Sequence, residues 1–151
     1  MKQINIKIIV VVLIFLGINL GTYGQVLQPR KAWVHRSYLW GFVNKETGKE
    51  VIPYKYDGAK DFSEGLAAVK LNGKWGYIDD TGKEVIPLKY DNAWRFSNGL
   101  AEVKLNGKWG CIDKTDFIVV PFTYANSNTA YSAGTKIDKT ERDMIAERVR
   151  L

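Results

Sequence analysis

A chain of 151 residues with one cysteine, one histidine and a formal charge of +6 excludes several classes of protein before any element is placed. One cysteine permits no intramolecular disulfide, and one histidine leaves no His-rich metal site. The positive charge is spread through Lys-Glu and Lys-Asp neighbourhoods, without the concentrated basic stripe of a nucleic-acid surface.

The N-terminal segment has the three parts of an export signal. Met1 to Lys7 carries two lysines and no acid, Ile8 to Leu16 is unbroken apolar sequence, and Gly17, Asn19, Gly21 and Gly24 then interrupt it. Nine apolar residues fall short of the roughly 20 that span a bilayer. Residues 1–24 are therefore expected to be a signal peptide cleaved after Gly24, with an uncleaved membrane anchor as the alternative reading. No cysteine stands near the boundary to carry a lipid. Cleavage leaves 127 residues, enough for one domain, with a charge of +4. The expected location is outside the cell, or in the periplasm or cell envelope. Residues 25–31 read as a short linker.

From Trp33 to Tyr124 the sequence repeats itself, which fixes the organisation. Trp40-Gly41, Trp75-Gly76 and Trp109-Gly110 recur at spacings of 35 and 34, and Pro53, Pro87 and Pro121 at 34 and 34. Aligning Gly48–Asp79 with Gly82–Asp113 gives 25 identities in 32 positions. Within a unit, Leu66 to Leu71 runs into Asn72-Gly73 and then Lys74 to Asp79. Asn-Gly between two apolar-rich runs is a strong hairpin signal, because both turn residues take positive φ. Asp79-Asp80-Thr81-Gly82 suits a type I turn closed by a left-handed glycine. It leads into a third strand, Lys83 to Ile86, which Pro87 is expected to end. A longer link, Leu88 to Gly99, holds the anchors Tyr90 and Phe96.

The two-residue turn sets the register and hence the faces. Leu71 faces Lys74, Val69 faces Gly76 and Ala67 faces Ile78, an aliphatic face that keeps its residues in the next unit and is the expected core. The other face pairs Lys70 with Trp75 and Ala68 with Tyr77. It changes to Glu102 and Cys111 in the next unit, and is expected to be wetter or to lie against a neighbour. The fold class is therefore all-β: three-stranded meanders of about 34 residues, stacked as a short solenoid-like array over residues 32–124.

The strings Asn-Gly-Lys-Trp-Gly-Tyr-Ile-Asp, Thr-Gly-Lys-Glu-Val-Ile-Pro and Phe-Ser-x-Gly-Leu-Ala resemble the WG (KWG) repeat family of bacteria. The resemblance implies a β-rich array in an exported or envelope-associated protein, and brings no catalytic motif. Asn-Gly-Lys-Trp hairpins also resemble choline-binding cell-wall repeats, whose units are much shorter. The pattern weakens at both ends. Ala32 to His35 takes the place of the first hairpin's incoming strand, with Ser37-Tyr38 in place of Asn-Gly. Asp116 replaces the third turn glycine, and nothing recognisable follows Tyr124. About two and a half units are few for a self-sufficient array, so association between chains is expected; a monomer by light scattering at high concentration would exclude it.

Ala125 to Thr135 reads as a polar linker. Thr140 and Asp143 form a capping box for a helix over 141–150, either docked on the array or part of a loose end.

The inventory offers little chemistry. His35 reads as a structural or surface residue, and Cys111 as a small apolar filler. Asp79, Asp80, Asp91 and Asp113 recur at turns, where Asp caps local backbone, and lack the pattern of a calcium loop. No catalytic, cofactor or metal residues are assigned. The recurring Trp40, Trp75 and Trp109, with Gly41, Gly76, Gly110, Pro53, Pro87 and Pro121, read as structural. Trp33, Phe42 and Tyr77 fall on the Trp face and are candidate partner contacts, unless the rings serve as packing between units. Trp94 stands apart: its counterpart is Lys60, and a Trp gained at a loop position is the sharpest candidate contact. The expected function is non-catalytic binding or scaffolding with a protein partner, with glycan recognition as the alternative.

Overall fold

The computed structural model describes residues 26–34 and 37–137, together with Thr140 and Met144. Three antiparallel sheets follow one another. The first is β1 (Leu27–Val34), β2 (Ser37–Asn44) and β3 (Glu50–Tyr56). The second is β4 (Gly58–Ala59), β5 (Ala67–Leu71), β6 (Lys74–Ile78) and β7 (Glu84–Tyr90). The third repeats that order with β8 (Asn92–Ala93), β9 (Ala101–Leu105), β10 (Lys108–Ile112) and β11 (Ile118–Tyr124). A helix, α1 (Ser127–Lys136), follows.

The turns use the expected chemistry. Asn72 and Gly73 take φ of 51° and 81°, and the strands pair Leu71 with Lys74, Val69 with Gly76 and Ala67 with Ile78. In the next turn the Gly82 N–H donates to the Asp79 carbonyl at 3.0 Å, with Gly82 at φ 84°. The Asp79 carboxylate accepts from the Thr81 N–H, the Thr81 hydroxyl and the Lys83 N–H. Asp113 does the same for Thr115 and Phe117. Asn44 caps the first turn through the Glu46 and Thr47 N–H groups.

Pro87 does not end its strand: β7 continues through it to Tyr90. The reason lies in β6–β7 pairing, where Tyr77 faces Ile86 and Trp75 faces Tyr90, so the register shifts between them. The bulge puts Pro87 on an outer strand where no ladder N–H is needed. It also explains the glycine of each Trp-Gly pair. A Cβ on Gly76 would stand 2.5 Å from the Ile86 carbonyl oxygen and 2.8 Å from the Leu88 nitrogen. Gly41 meets the Ile52 carbonyl oxygen at 2.6 Å and Gly110 that of Val120 at 2.5 Å. Glycine, bulge and proline form one device.

Both faces of the second sheet are buried. Ala67, Val69 and Ile78 pack on Phe42, Ile52 and Tyr56 of the first unit. On the opposite face, Ala68, Tyr77, Ile86 and Tyr90 pack on Ala101, Val103 and Ile112 of the third. Of the two readings of the Trp face, packing against a neighbouring unit holds and a wetter face does not. A stacked array seals the two faces of its middle layer, and Tyr77 and Phe42 are each 0% exposed. Phe62 lies against Phe42 at 4.9 Å between centroids, and Phe96 against Tyr77 at 4.8 Å, so one aromatic pair serves both interfaces. Full burial of such a side chain stabilises by about 1.5–3 kcal/mol.

The ends differ from expectation. Residues 27–31 belong to β1 rather than to a linker, and Trp40 pairs with Lys31 instead of the His35 that repeat spacing gives. Ser37 and Tyr38 pair with Val34 and Trp33 within β2, so Ser37-Tyr38 is not the turn; residues 35 and 36 lie outside the described residues. Pro29 is tolerated because β1 is an outer strand.

The stretch read as a polar linker is α1. Asn126 caps it, its side chain accepting from the Thr129 N–H at 2.9 Å. Ala130 and Gly134 are buried against the third unit. A Cβ on Gly134 would lie 3.1 Å from Leu100, 3.2 Å from Val120 and 3.5 Å from the Cys111 sulfur. Small residues let the helix lie close where a further unit would stack, a tertiary contact that overrides weak propensity. The helix expected over 141–150 lies outside the described residues except Met144, which is helical and exposed.

Candidate functional site

The β4–β5 and β8–β9 links lie against each other along one side of the array, so positions one repeat apart touch. The Ser63 hydroxyl donates to the Phe96 carbonyl at 2.7 Å, and the Glu64 carboxylate accepts from the Gly99 N–H at 3.0 Å. Lys60 and Trp94, equivalent in the repeat, meet directly: the Lys60 ammonium sits 3.7 Å from the Trp94 ring centroid and 5.5 Å from that of Trp75. Such cation–π contacts contribute about 0.5–1 kcal/mol at exposed sites.

Trp94 is 44% exposed on a fixed backbone. Its N–H donates to the Glu102 carbonyl at 2.9 Å, and its carbonyl accepts from the buried Tyr77 hydroxyl at 2.6 Å. Trp94 and Arg95 form a ridge between two open grooves. One, about 440 Å³, is lined by Pro29, Trp40, Ala59, Lys60 and Asp61 as well as the ridge. The other, about 330 Å³, adds Ser97, Glu102, Ser127, Asn128 and Tyr131.

The grooves are charged unevenly. Burial, and secondarily the Arg95 charge, hold the Lys60 pKa below the ordinary lysine value, against a smaller pull from Glu102. Burial pushes the Glu102 carboxyl up, partly offset by its own backbone hydrogen bond and by Lys60. Neither Lys60 nor Arg95 is ion-paired to a described residue.

The structure separates the expected contacts. Trp94 lies on the surface and lines both grooves. Phe42 and Tyr77 are sealed between units and offer nothing to a partner; Tyr77 instead fixes Trp94 from below. The Trp33 backbone pairs with Tyr38 in the first hairpin. Trp40 lines the larger groove, which its structural role did not suggest. Trp75 is half-buried and Trp109 buried, as packing residues. Cys111 is buried beneath α1, and burial pushes its thiol up to about 12. Among the described residues, no three His, Cys, Asp or Glu side chains gather as metal ligands.

Lys60 and Glu102 enter the sequence reading only as the counterparts of Trp94 and Ala68, and Asp61 and Arg95 not at all, yet a signal for all four exists. The two near-identical units differ at seven positions, and five of the residues there line the grooves: Lys60, Asp61, Trp94, Arg95 and Glu102. Other differences follow from what lies alongside. Tyr77 faces a third unit where Cys111 faces a helix, and Glu64 reaches Gly99 where Asn98 donates to the Tyr131 hydroxyl. At the exchanges of Lys60 for Trp94 and Asp61 for Arg95, all four side chains line the larger groove.

No curated protein and no solved structure matches the chain. The family described as WG containing repeat matches residues 40–75 and 75–109. Each match runs from one Trp of a Trp-Gly pair to the next, spanning the bulge, proline and hairpin described above. Residues 40–109 of the chain are two tandem β-repeats of the WG containing repeat family.

Proposed function

We propose that this chain is a non-catalytic binding or scaffolding module that docks a protein partner on the Trp94 edge. The observation that carries the reading is an exposed indole, held at its backbone on both sides and ringed by the positions where the repeats disagree. Aromatic and Arg side chains on a fixed frame are the residue types that dominate protein interfaces. The absence of a catalytic role is our reading of the candidate groups, since Asp79 and Asp113 cap turns and Cys111 is sealed. The basic and apolar pattern of residues 1–24 supports export as the setting. Glycan recognition is the lesser reading, because the Lys60 ammonium already lies over one face of the Trp94 ring. Self-association fits better at the first unit, since α1 packs over the outer face of the third.

The test is site-specific photo-crosslinking in the producing cell, with a benzophenone amino acid at position 94 and, as control, at the exposed Lys83. A discrete adduct from position 94 alone supports the reading. Equal labelling from both positions, or none from either, refutes it.

A further inference from the structure

The larger groove holds an imbalance that the packing of the array does not explain. Pro29, Trp40 and Trp94 give it apolar walls, and Lys60, Arg95 and Asp61 bring its charges. Asp61 is exposed at the rim and pairs with neither cation. Lys60 is half-buried over the indole, where burial and the Arg95 charge work against its protonated form and Glu102 offsets them only in part. Two cations with no ion pair among the described residues are relieved when an anion joins them, and a carboxylate on a guanidinium forms the stronger, charge-assisted class of hydrogen bond.

Shape limits the kind of partner. A groove of about 440 Å³ that continues past the Trp94–Arg95 ridge into one of about 330 Å³ suits a strip of chain better than a broad protein face. The flanking strands β4 and β8 are two residues long, and the Lys60 and Trp94 N–H groups already donate inward to the Ala68 and Glu102 carbonyls. Strand addition has little free backbone to use, so side chains must do the recognising. The second groove supplies Ser97, Asn128 and Tyr131 for polar contacts beyond the ridge but also carries Glu102, so the partner's carboxylates belong on the Lys60 side of the ridge.

We infer that the partner presents an extended acidic peptide segment, lying in the groove between Trp40 and Trp94 with carboxylates on Lys60 and Arg95. This rests on the reading of the Trp94 edge as the partner surface. An acidic segment needs no displacement of Lys60 from the indole, whereas a sugar stacking on that face does.

Fluorescence anisotropy of the full chain tests it with four labelled probes: a short Asp/Glu-rich peptide, the same peptide with Lys at every acid, a galacturonate oligomer and a neutral glucan oligomer. The expected result is salt-sensitive binding of the acidic peptide and none of the Lys peptide. Lys60→Gln or Arg95→Gln should each weaken it about tenfold or more, with Lys83→Gln unchanged. No binding of the acidic peptide overturns the inference. So does wild-type affinity in both Lys60→Gln and Arg95→Gln, or a preference for either oligosaccharide. Failure here with the position-94 adduct intact removes the acidic segment and keeps the binding surface; loss of the adduct removes both.

Discussion

Replacing Gly76 by Ala probes the feature that repeats in every unit. The added Cβ would face only backbone: the Ile86 carbonyl oxygen at 2.5 Å, and the Pro87 carbonyl carbon and Leu88 nitrogen at 2.8 Å. An ordinary contact begins at 3.4 Å, so β7 must retreat by about 0.9 Å at its bulge. Ile86, fully buried, moves with it and opens the seam to the third unit. Overpacking of this kind costs about 1–3 kcal/mol, and the expected loss lies at the upper end because a strand rather than a side chain must give. Gly58→Ala is the internal contrast. Its Cβ would meet the edge of the Trp75 ring at 3.3 Å, a side chain able to adjust, and the expected change is within about 1 kcal/mol. Urea unfolding followed by tryptophan fluorescence measures both, with equal slopes required for the comparison. A Gly76→Ala midpoint at the wild-type value, or equal losses for both variants, would refute the account of the Trp-Gly pair.

Tyr77→Phe removes the hydroxyl that donates to the Trp94 carbonyl, and should cost about 1–3 kcal/mol by urea unfolding while loosening the ridge; an unchanged midpoint contradicts that support. The Cys111 thiol, buried and pushed up to about 12, should resist a disulfide reagent in the native chain and react after urea. Rapid native labelling would show that α1 does not cover it. Glu102 has a folded pKa raised above its unfolded value, so its contribution is full below about pH 4.3 and is lost as pH rises through the folded pKa. Glu102→Gln should therefore stabilise at pH 7 and make no difference at acid pH; equal stability at both would argue against its burial. Asp79 runs the other way, its pKa lowered by the Thr81 and Lys83 hydrogen bonds, which outweigh desolvation. Its contribution is present above the unfolded pKa and lost as pH falls through the folded one. Asp79→Asn, which keeps the Asn44 style of turn, should flatten the acid limb of the unfolding midpoint against pH.

The middle of the array was legible because its signals are local. Asn72-Gly73 determines a turn, the turn determines a register, and the register places Ala67, Val69 and Ile78 on one face. What failed was tertiary. That Tyr77 and Phe42 are sealed depends on a neighbouring sheet, which no period within one strand reveals. Pro87 looks like a strand end in the sequence because the bulge that accommodates it needs the partner strand. The α1 segment carries weak helix formers and is held by Leu100, Cys111 and Val120, far away in sequence. Trp94 stood out because its counterpart is Lys60. Arg95 and Glu102 were equally readable in the same alignment, but their meaning appears only when the links stack and bring them to one ridge.

The central claim is that the recurring tryptophans hold the array together while Trp94, the odd one out, serves a partner. A benzophenone amino acid at Asn128, exposed at the far wall of the smaller groove, reads this without disturbing the indole. Adduct yield and urea midpoint are measured for the otherwise wild-type chain and for Trp94→Ala and Trp75→Ala. Trp94→Ala should lose the adduct and no more stability than its Lys60 contact supplies, about 0.5–1 kcal/mol, and Trp75→Ala should lose clearly more. An adduct that survives Trp94→Ala, or a midpoint that falls with it as far as with Trp75→Ala, contradicts the claim.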